Sequence, residues 1–407
     1  MYCCFYQIDK TGGSLMSELN EDLGRRLKEF ITKICDDIGP RLGASEEEHR
    51  AGMRIEEEYK KYCDATFQEE FTCHPAAFLD IVRVSVTIYM IGLLFFPLQP
   101  ALTAILGAIT LILFVAEMMY LREMVDPLFP KKTGANVYGK ISPIGSTENI
   151  VLVSGHHDSA YEFPLQERLG PRFSTFILLT IGLGIVTVIL SLIRLFVLLF
   201  IPSVLSIFDL LTIVPIVSAI PMLAFAFRLR SNKVVLGAND NLSGVAVTLG
   251  VGEWLKQNPL KHTEVWLVSF ACEENMRGSK RFAKAHGKEL QEAYLLNFDG
   301  VGAGSLYVLT AEPMYLTTLT SELCELVVDA AKDEGLEVST GVPSFGGTDA
   351  SNFIKAGLYA TAVVGISEAG FLKNWHTLND TPEQIDESVL VEAVKLAVAV
   401  LKKVDTT

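Results

Sequence analysis

A chain of 407 residues exceeds an average domain but fits one large α/β domain carrying extra segments. Half of its residues are hydrophobic and its mean hydropathy is +0.34, more than a soluble domain needs, so part of the chain is expected in a membrane. A net charge of −14 argues against nucleic-acid binding, which needs a basic face, and seven cysteines without paired spacing argue against a disulfide framework, leaving reduced core thiols.

The first twenty residues lack a basic stretch followed by an apolar run, so no signal peptide is expected and the N-terminal part is expected in the cytoplasm. From Ser17 to about Gly39, Leu19, Leu23, Leu27, Phe30, Ile31 and Ile34 recur at helical spacing. A second helix is predicted from Ser45, where Ser45 and Glu48 have capping-box spacing, to about Tyr62. Residues 66–73 read as a strand.

Residues 84–116 then carry no charge and are broken by Pro97, Gln99 and Pro100, the pattern of a helical hairpin. Each arm is short for a hydrocarbon core about 30 Å thick unless it extends to Leu79 and Leu121, with Arg83 and Arg122 reaching back to the interface. A second hairpin is predicted from the uncharged runs 173–193 and 210–227. Arg83, Arg122, Lys131, Lys132, Arg168, Arg172, Arg228, Arg230 and Lys233 flank the hairpins on one side, whereas the tips carry only Arg194. By the positive-inside rule that basic side is cytoplasmic, which gives an integral membrane protein with four transmembrane helices and a cytoplasmic catalytic domain. Arg194 and Asp209 bound the second tip and are expected at the far interface.

Outside the hairpins, strands at 149–155, 263–271, 293–298, 304–309 and 359–366 alternate with helices near 243–257, 277–288, 314–334 and 386–403. Such alternation implies an α/β fold with a mostly parallel central sheet flanked by helices. The expected segments are 1–78, 123–172 and 231–407 for the catalytic domain, with membrane hairpins at 79–122 and 173–230.

Acidic and histidine clusters fall where this pattern puts strand ends: His156-His157-Asp158, Asp240-Asn241, Glu273-Glu274 and Asn297-Phe298-Asp299, followed by His376-Thr377 in a late loop. In a parallel sheet the loops at the carboxyl ends of the strands converge on one crevice. Imidazoles and carboxylates together suit zinc, and a carboxylate beside a ligand carboxylate can serve as general base. Alternation along an extended segment turns His157 away from His156.

The series His-x-Asp, Asp-Asn-x-Ser-Gly, Glu-Glu, Asn-x-Asp and His-Thr resembles the cocatalytic dinuclear zinc exopeptidases, the aminopeptidases and carboxypeptidases that include bacterial leucyl aminopeptidase and glutamate carboxypeptidase. The resemblance implies the zinc exopeptidase fold, interrupted here by two inserted transmembrane hairpins, and two zinc ions as cofactors. It implies that Asp240 bridges the metals, that His156 and Asp299 complete one site, and that Glu274 and His376 complete the other. Glu273 becomes the general base, and Asp158 orients His156. Gly346-Gly347-Thr348-Asp349 is similar to the family's segment near the substrate pocket. Soluble members of the family are usually secreted and lack the hairpins.

The activity expected is removal of residues from a free N-terminus, with carboxypeptidase action, glutaminyl cyclisation and a non-catalytic membrane scaffold as alternatives. The partners expected are a peptide substrate, apolar or close to the membrane, and the lipid bilayer. About fifteen residues separate His156 from the second hairpin, so that hairpin should emerge on the metal-bearing face.

Overall fold

The computed structural model describes residues 21–205, 209, 211–343, 346–367, 370 and 372–406. The expected helix start at Ser17 and Leu19 and the start of the fourth apolar run at residue 210 lie outside them. α1 (Glu21–Asp37) buries Leu23, Leu27, Ile31 and Ile34 along the stripe that the spacing predicts. Ser45 caps α2 (Glu46–Tyr59) by accepting from the Glu48 amide at 3.1 Å. The other half of the expected capping box differs. The Glu48 carboxylate turns inward and accepts from the amides of Ala44 and Cys272, because a buried amide without a partner is costly.

β1 (Ala65–Cys73) leads into α3 (Pro75–Leu94) and α4 (Pro100–Phe114), which a π turn at Val115–Met119 extends. β2 (Lys132–Ile141) and β3 (Asn149–His156) follow, then α5 (Pro164–Leu169), α6 (Phe173–Phe200) and α7 (Ile213–Arg228). The rest alternates: α8 (Ser243–Gln257), β4 (Thr263–Phe270), α9 (Gly278–His286), β5 (Tyr294–Asp299) and β6 (Ser305–Leu309). A small ribbon, β7 (Ala311–Glu312) and β8 (Thr317–Thr318), precedes α10 (Ser321–Asp333), β9 (Ser339–Gly341), α11 (Ala350–Lys355), β10 (Tyr359–Ile366) and α12 (Glu387–Asp405). The helix expected from 314 therefore starts only at Ser321, since Pro313 and the β-branched Thr317-Thr318 favour the ribbon.

Eight strands form one sheet in the order β1-β2-β4-β3-β5-β10-β6-β9. Its centre, β4-β3-β5-β10, is parallel, as expected, while β1, β2 and β6 join it antiparallel. The sequence does not announce β2, because Gly134 and Gly139 interrupt its alternation. Val151, Leu152 and Val153 of β3 are fully buried, as suits a strand covered on both faces. α1, α2, α8 and α12 pack on one face, and α9 and α11 on the other, where Phe282 meets Phe270 and Phe353.

α3, α4, α6 and α7 form a separate group in which α3 and α6 each touch α4 and α7. Its interior mixes apolar side chains with hydroxyls, and its exterior is apolar. Tyr89, Thr187 and Ser218 hydrogen-bond to one another inside, whereas Leu98, Ile112, Leu178, Phe196, Ile216 and Phe227 are exposed outside. Apolar exterior and hydroxyl-bonded interior are what helices in lipid require. Among the described residues three helical stretches, 75–94, 100–119 and 164–200, are long and apolar enough to cross a membrane, and α7 is a shorter apolar helix. Arg194, at the second tip, is 5% exposed. It joins the two tips by donating to Asp209 at 2.8 Å and to the Pro97 carbonyl at 3.1 Å.

The first hairpin is clamped to the sheet by buried charge. Arg277, fully buried, donates to Glu117 at 2.9 Å and to Asp126 at 2.8 Å, and Arg281 grips Glu123 with both terminal nitrogens. Removing one member of such a network strands the others, so Arg277→Met is expected to destabilise the protein by about 3–5 kcal/mol. Thermal unfolding in detergent reads this, and an unchanged midpoint would show that the clamp contributes nothing.

Candidate metal centre

The parallel centre of the sheet sets the site. His156 ends β3 opposite Phe270 of β4, and Asp299 ends β5 opposite Val364 of β10, so neighbouring strands deliver their last residues to one edge. Glu273 and Glu274 occupy a short turn just after β4, Asp240 lies in the turn before α8, and His376 lies in the loop after β10. Close backbone approach makes this convergence possible. A Cβ at Gly155 would stand 2.6 Å from the Gly244 carbonyl carbon, and one at Gly244 would stand 2.2 Å from the Phe298 oxygen, so only glycine fits at both positions.

Asp240 occupies the middle. Its Oδ1 lies 3.2 Å from His156 Nε2 and its Oδ2 lies 3.2 Å from His376 Nε2, so each carboxylate oxygen faces a different imidazole. His156 Nε2 is also 3.5 Å from Glu273 and 3.9 Å from Asp299, and His376 Nε2 is 3.1 Å from Glu274. All six residues named from the motifs are thus brought together. Asp158 joins them differently: it lies 3.2 Å from His156 Nδ1 and accepts from the amides of Glu273 and Glu274 at 3.0 and 3.1 Å. His157 points away, its Nδ1 2.8 Å from the Ser269 hydroxyl. Asp349 is fully buried beside the group, close enough for its charge to bear on Glu273 and Asp299.

Two supporting carboxylates have no motif to announce them. Asp380 accepts from the amides of Asn239 and Asp240 at 2.6 and 3.1 Å, fixing the turn that carries Asp240. Glu48 does the same for Cys272, the residue before Glu273. For Asp380 the one signal is an acidic residue four positions after the His-Thr pair's first member. Glu48 reads from sequence only as part of a helix cap.

The cluster is electrostatically unbalanced on its own. Burial raises the carboxyls of Glu273 and Asp299 well above the usual range, and their carboxylate neighbours add to it. Burial alone would lower His156, but Glu273, Asp158 and Asp240 overcome it and raise the imidazole well above its ordinary value. His376 likewise rises to about 10, burial being outweighed by Glu274 and Asp240. His156 Nε2, Asp240 Oδ2 and Glu274 Oε1 are buried without a hydrogen-bond partner. His156, Asp240 and Glu274 also present ligand atoms within 4.8 Å of one another. Imidazole and carboxylate donors so arranged fit zinc.

The α/β fold is that of the zinc exopeptidases. The profile of peptidase family M28 matches residues 220–401, the part that carries Asp240, Glu273, Glu274, Asp299 and His376. With the fold, that match supports the dinuclear zinc exopeptidase family named from the motifs, and zinc as its metal. The chain resembles in fold a zinc aminopeptidase from Bacillus subtilis, with a TM-score of 0.55 and 16% identity over 94% of each chain. An aminopeptidase from Aneurinibacillus sp. strain AM-1 matches with a TM-score of 0.53 and 16% identity over 95% of this chain and 94% of that one. A glutaminyl cyclase from an Acidobacteriales bacterium matches with a TM-score of 0.56 and 13% identity over 99% of each. A search of curated proteins by sequence finds no match.

Carboxylate neighbours favour the protonated form of His156 and His376, and zinc bound by these imidazoles would displace those protons. Zinc uptake should therefore release protons and weaken as pH falls. Calorimetric zinc titrations in buffers of different ionisation enthalpy, between about pH 6 and 8, would measure the release; uptake without it would mean that both imidazoles are already neutral before the metal binds.

Proposed function

We propose that the chain is a membrane-integrated dinuclear zinc aminopeptidase, with hairpins 79–122 and 173–230 inserted into a catalytic part formed by 1–78, 123–172 and 231–407. The observation that carries the two-metal reading is the position of Asp240, one carboxylate oxygen toward each imidazole at 3.2 Å. In this reading Asp240 would serve both ions, His156 and Asp299 would hold one, and Glu274 and His376 would hold the other. Zinc bound there would polarise the scissile carbonyl and acidify water toward neutral pH. Glu273 is not a ligand. Its carboxylate accepts the proton of the attacking water and returns it to the departing amine. Asp158 holds the imidazole of His156 from its far side, as histidine ligands commonly require.

Glutaminyl cyclisation is the second reading, because the solved structures of this fold include glutaminyl cyclases as well as aminopeptidases. Cyclisation needs no attacking water, so products discriminate. Metal analysis of purified protein, with assays on aminoacyl amides and on glutaminyl peptides, decides between them. Two zinc ions per chain and amide hydrolysis are expected; one zinc ion with pyroglutamyl product would reverse the assignment. Glu273→Gln should retain zinc while turnover falls by about 10²–10⁴-fold. Asp240→Asn should lose zinc as well as activity. Wild-type turnover in Glu273→Gln would remove Glu273 from the role of base.

The basic residues that flank the hairpins lie on the side of the sheet, so both termini and the catalytic part are read as cytoplasmic. Ser203 at the second tip and Lys288 after α9 are both exposed. In intact cells an impermeant thiol reagent should label Ser203→Cys and spare Lys288→Cys; the opposite pattern would invert the topology.

A further inference from the structure

The cavity that contains the metal cluster does not end there. It has a volume of about 380 Å³, with Asp240, Glu273, Glu274, Asp299 and His376 at one end. At the other end Val82 of α3, Phe114 of α4, Ile181 of α6 and Phe225 of α7 line it. Ser174 and Ile177 of α6 line it too, and Ile181 stands seven residues beyond Ser174, so the cavity follows that helix for about 10 Å. Leu178 also lines the cavity and is 70% exposed, which opens its wall toward the apolar outer surface of the helices. The two ends make different demands on whatever fills them. The acidic end accommodates an amide and a metal. The far end is walled by side chains without hydrogen-bonding groups, where a charged or polar group would lose its hydration with nothing in return.

We infer that this chamber among the inserted helices binds the apolar side chains of a peptide's first residues, and that such peptides enter it from the lipid side. The inference rests on the aminopeptidase reading above and adds the substrate class: peptides that begin with large apolar residues. The hairpins then serve as a wall of the specificity pocket as well as an anchor. Ile181 is partly buried, lines the chamber and lies far along α6 from the metal cluster, so its size can be changed without touching the catalytic groups.

The test uses the full-length, zinc-loaded protein in phosphatidylcholine vesicles and compares kcat/KM for phenylalanyl, alanyl and lysyl amides. Wild type should prefer phenylalanyl over lysyl amide at least 100-fold. Ile181→Trp should reduce phenylalanyl hydrolysis at least tenfold and leave alanyl hydrolysis within twofold, with zinc content unchanged. Ile181→Ala should move the preference the other way, toward the larger side chain, and it decides alone if the tryptophan variant loses its zinc. A phenylalanyl-to-alanyl ratio that neither variant shifts, in an enzyme that still cleaves amides, would overturn the inference and leave the peptidase reading intact. Cleavage of N-acylated amino acids in place of free N-termini would replace the occupant with a lipid amide and overturn it as well. Cyclisation of glutaminyl peptides without hydrolysis of any amide would remove both readings together.

Discussion

Everything at the carboxyl edge of the sheet depends on one electrostatic constraint: Asp240, Glu273, Glu274 and Asp299 are buried within reach of only two imidazoles. Burying that much like charge is unfavourable, and raised carboxyl and imidazole pKa values are its signature. A bound cation would offset the imbalance, and backbone hydrogen bonds fix the turns that carry these side chains. Asp158, Asp380 and Glu48 accept backbone amides of the turns carrying Glu273, Glu274, Asp240 and Cys272. The loop after β3 holds the last ligand, since the Phe163 amide donates to the His376 carbonyl and the Phe163 ring meets the His376 ring edge-on at 4.4 Å. Ligand geometry is therefore a property of backbone hydrogen bonds as much as of the ligands.

What the sequence disclosed about this site follows from where the ligands sit. His156 and Asp299 end buried strands that read as apolar runs, and Glu273-Glu274 and Asp240 occupy adjoining turns, so periodicity located them without any contact information. Asp380 and Glu48 were not legible in the same way. Their partners are main-chain amides distant in sequence, and a carboxylate that bonds to backbone leaves no residue pattern. β2 escapes notice because Gly134 and Gly139 break its alternation, and Arg277 because its partners Glu117 and Asp126 lie more than a hundred residues away. Arg194 reads from sequence as a charge next to an apolar run; only the packing of two hairpins shows that its partners are Asp209 and a carbonyl of the other tip.

The chain solves two folding problems with opposite rules. Around the sheet, apolar side chains such as Trp266, Phe282 and Val394 are buried, and buried charge gathers at the carboxyl edge. Among α3, α4, α6 and α7 the hydroxyls of Thr187, Ser191 and Ser218 are inside, and leucine, isoleucine and phenylalanine face out. The two regions meet at Arg277, Glu117 and Asp126, where ion pairs away from water bind the base of one region to the turn that follows β4 in the other. Apolar surface could not have joined them with the same specificity of direction, because hydrophobic contact is non-directional.

Chain order gives the centre a timetable. His156 precedes α6 and α7, while Asp240, Glu273, Glu274, Asp299 and His376 all follow them. During synthesis from the N-terminus, both hairpins are made before Asp240, and β5 and β10 must still be added before the sheet can present the rest. A nascent chain stalled short of Asp240 holds only His156 of the six clustered residues and cannot assemble the cluster. Assembly of the cluster is thereby deferred until both apolar segments have been made.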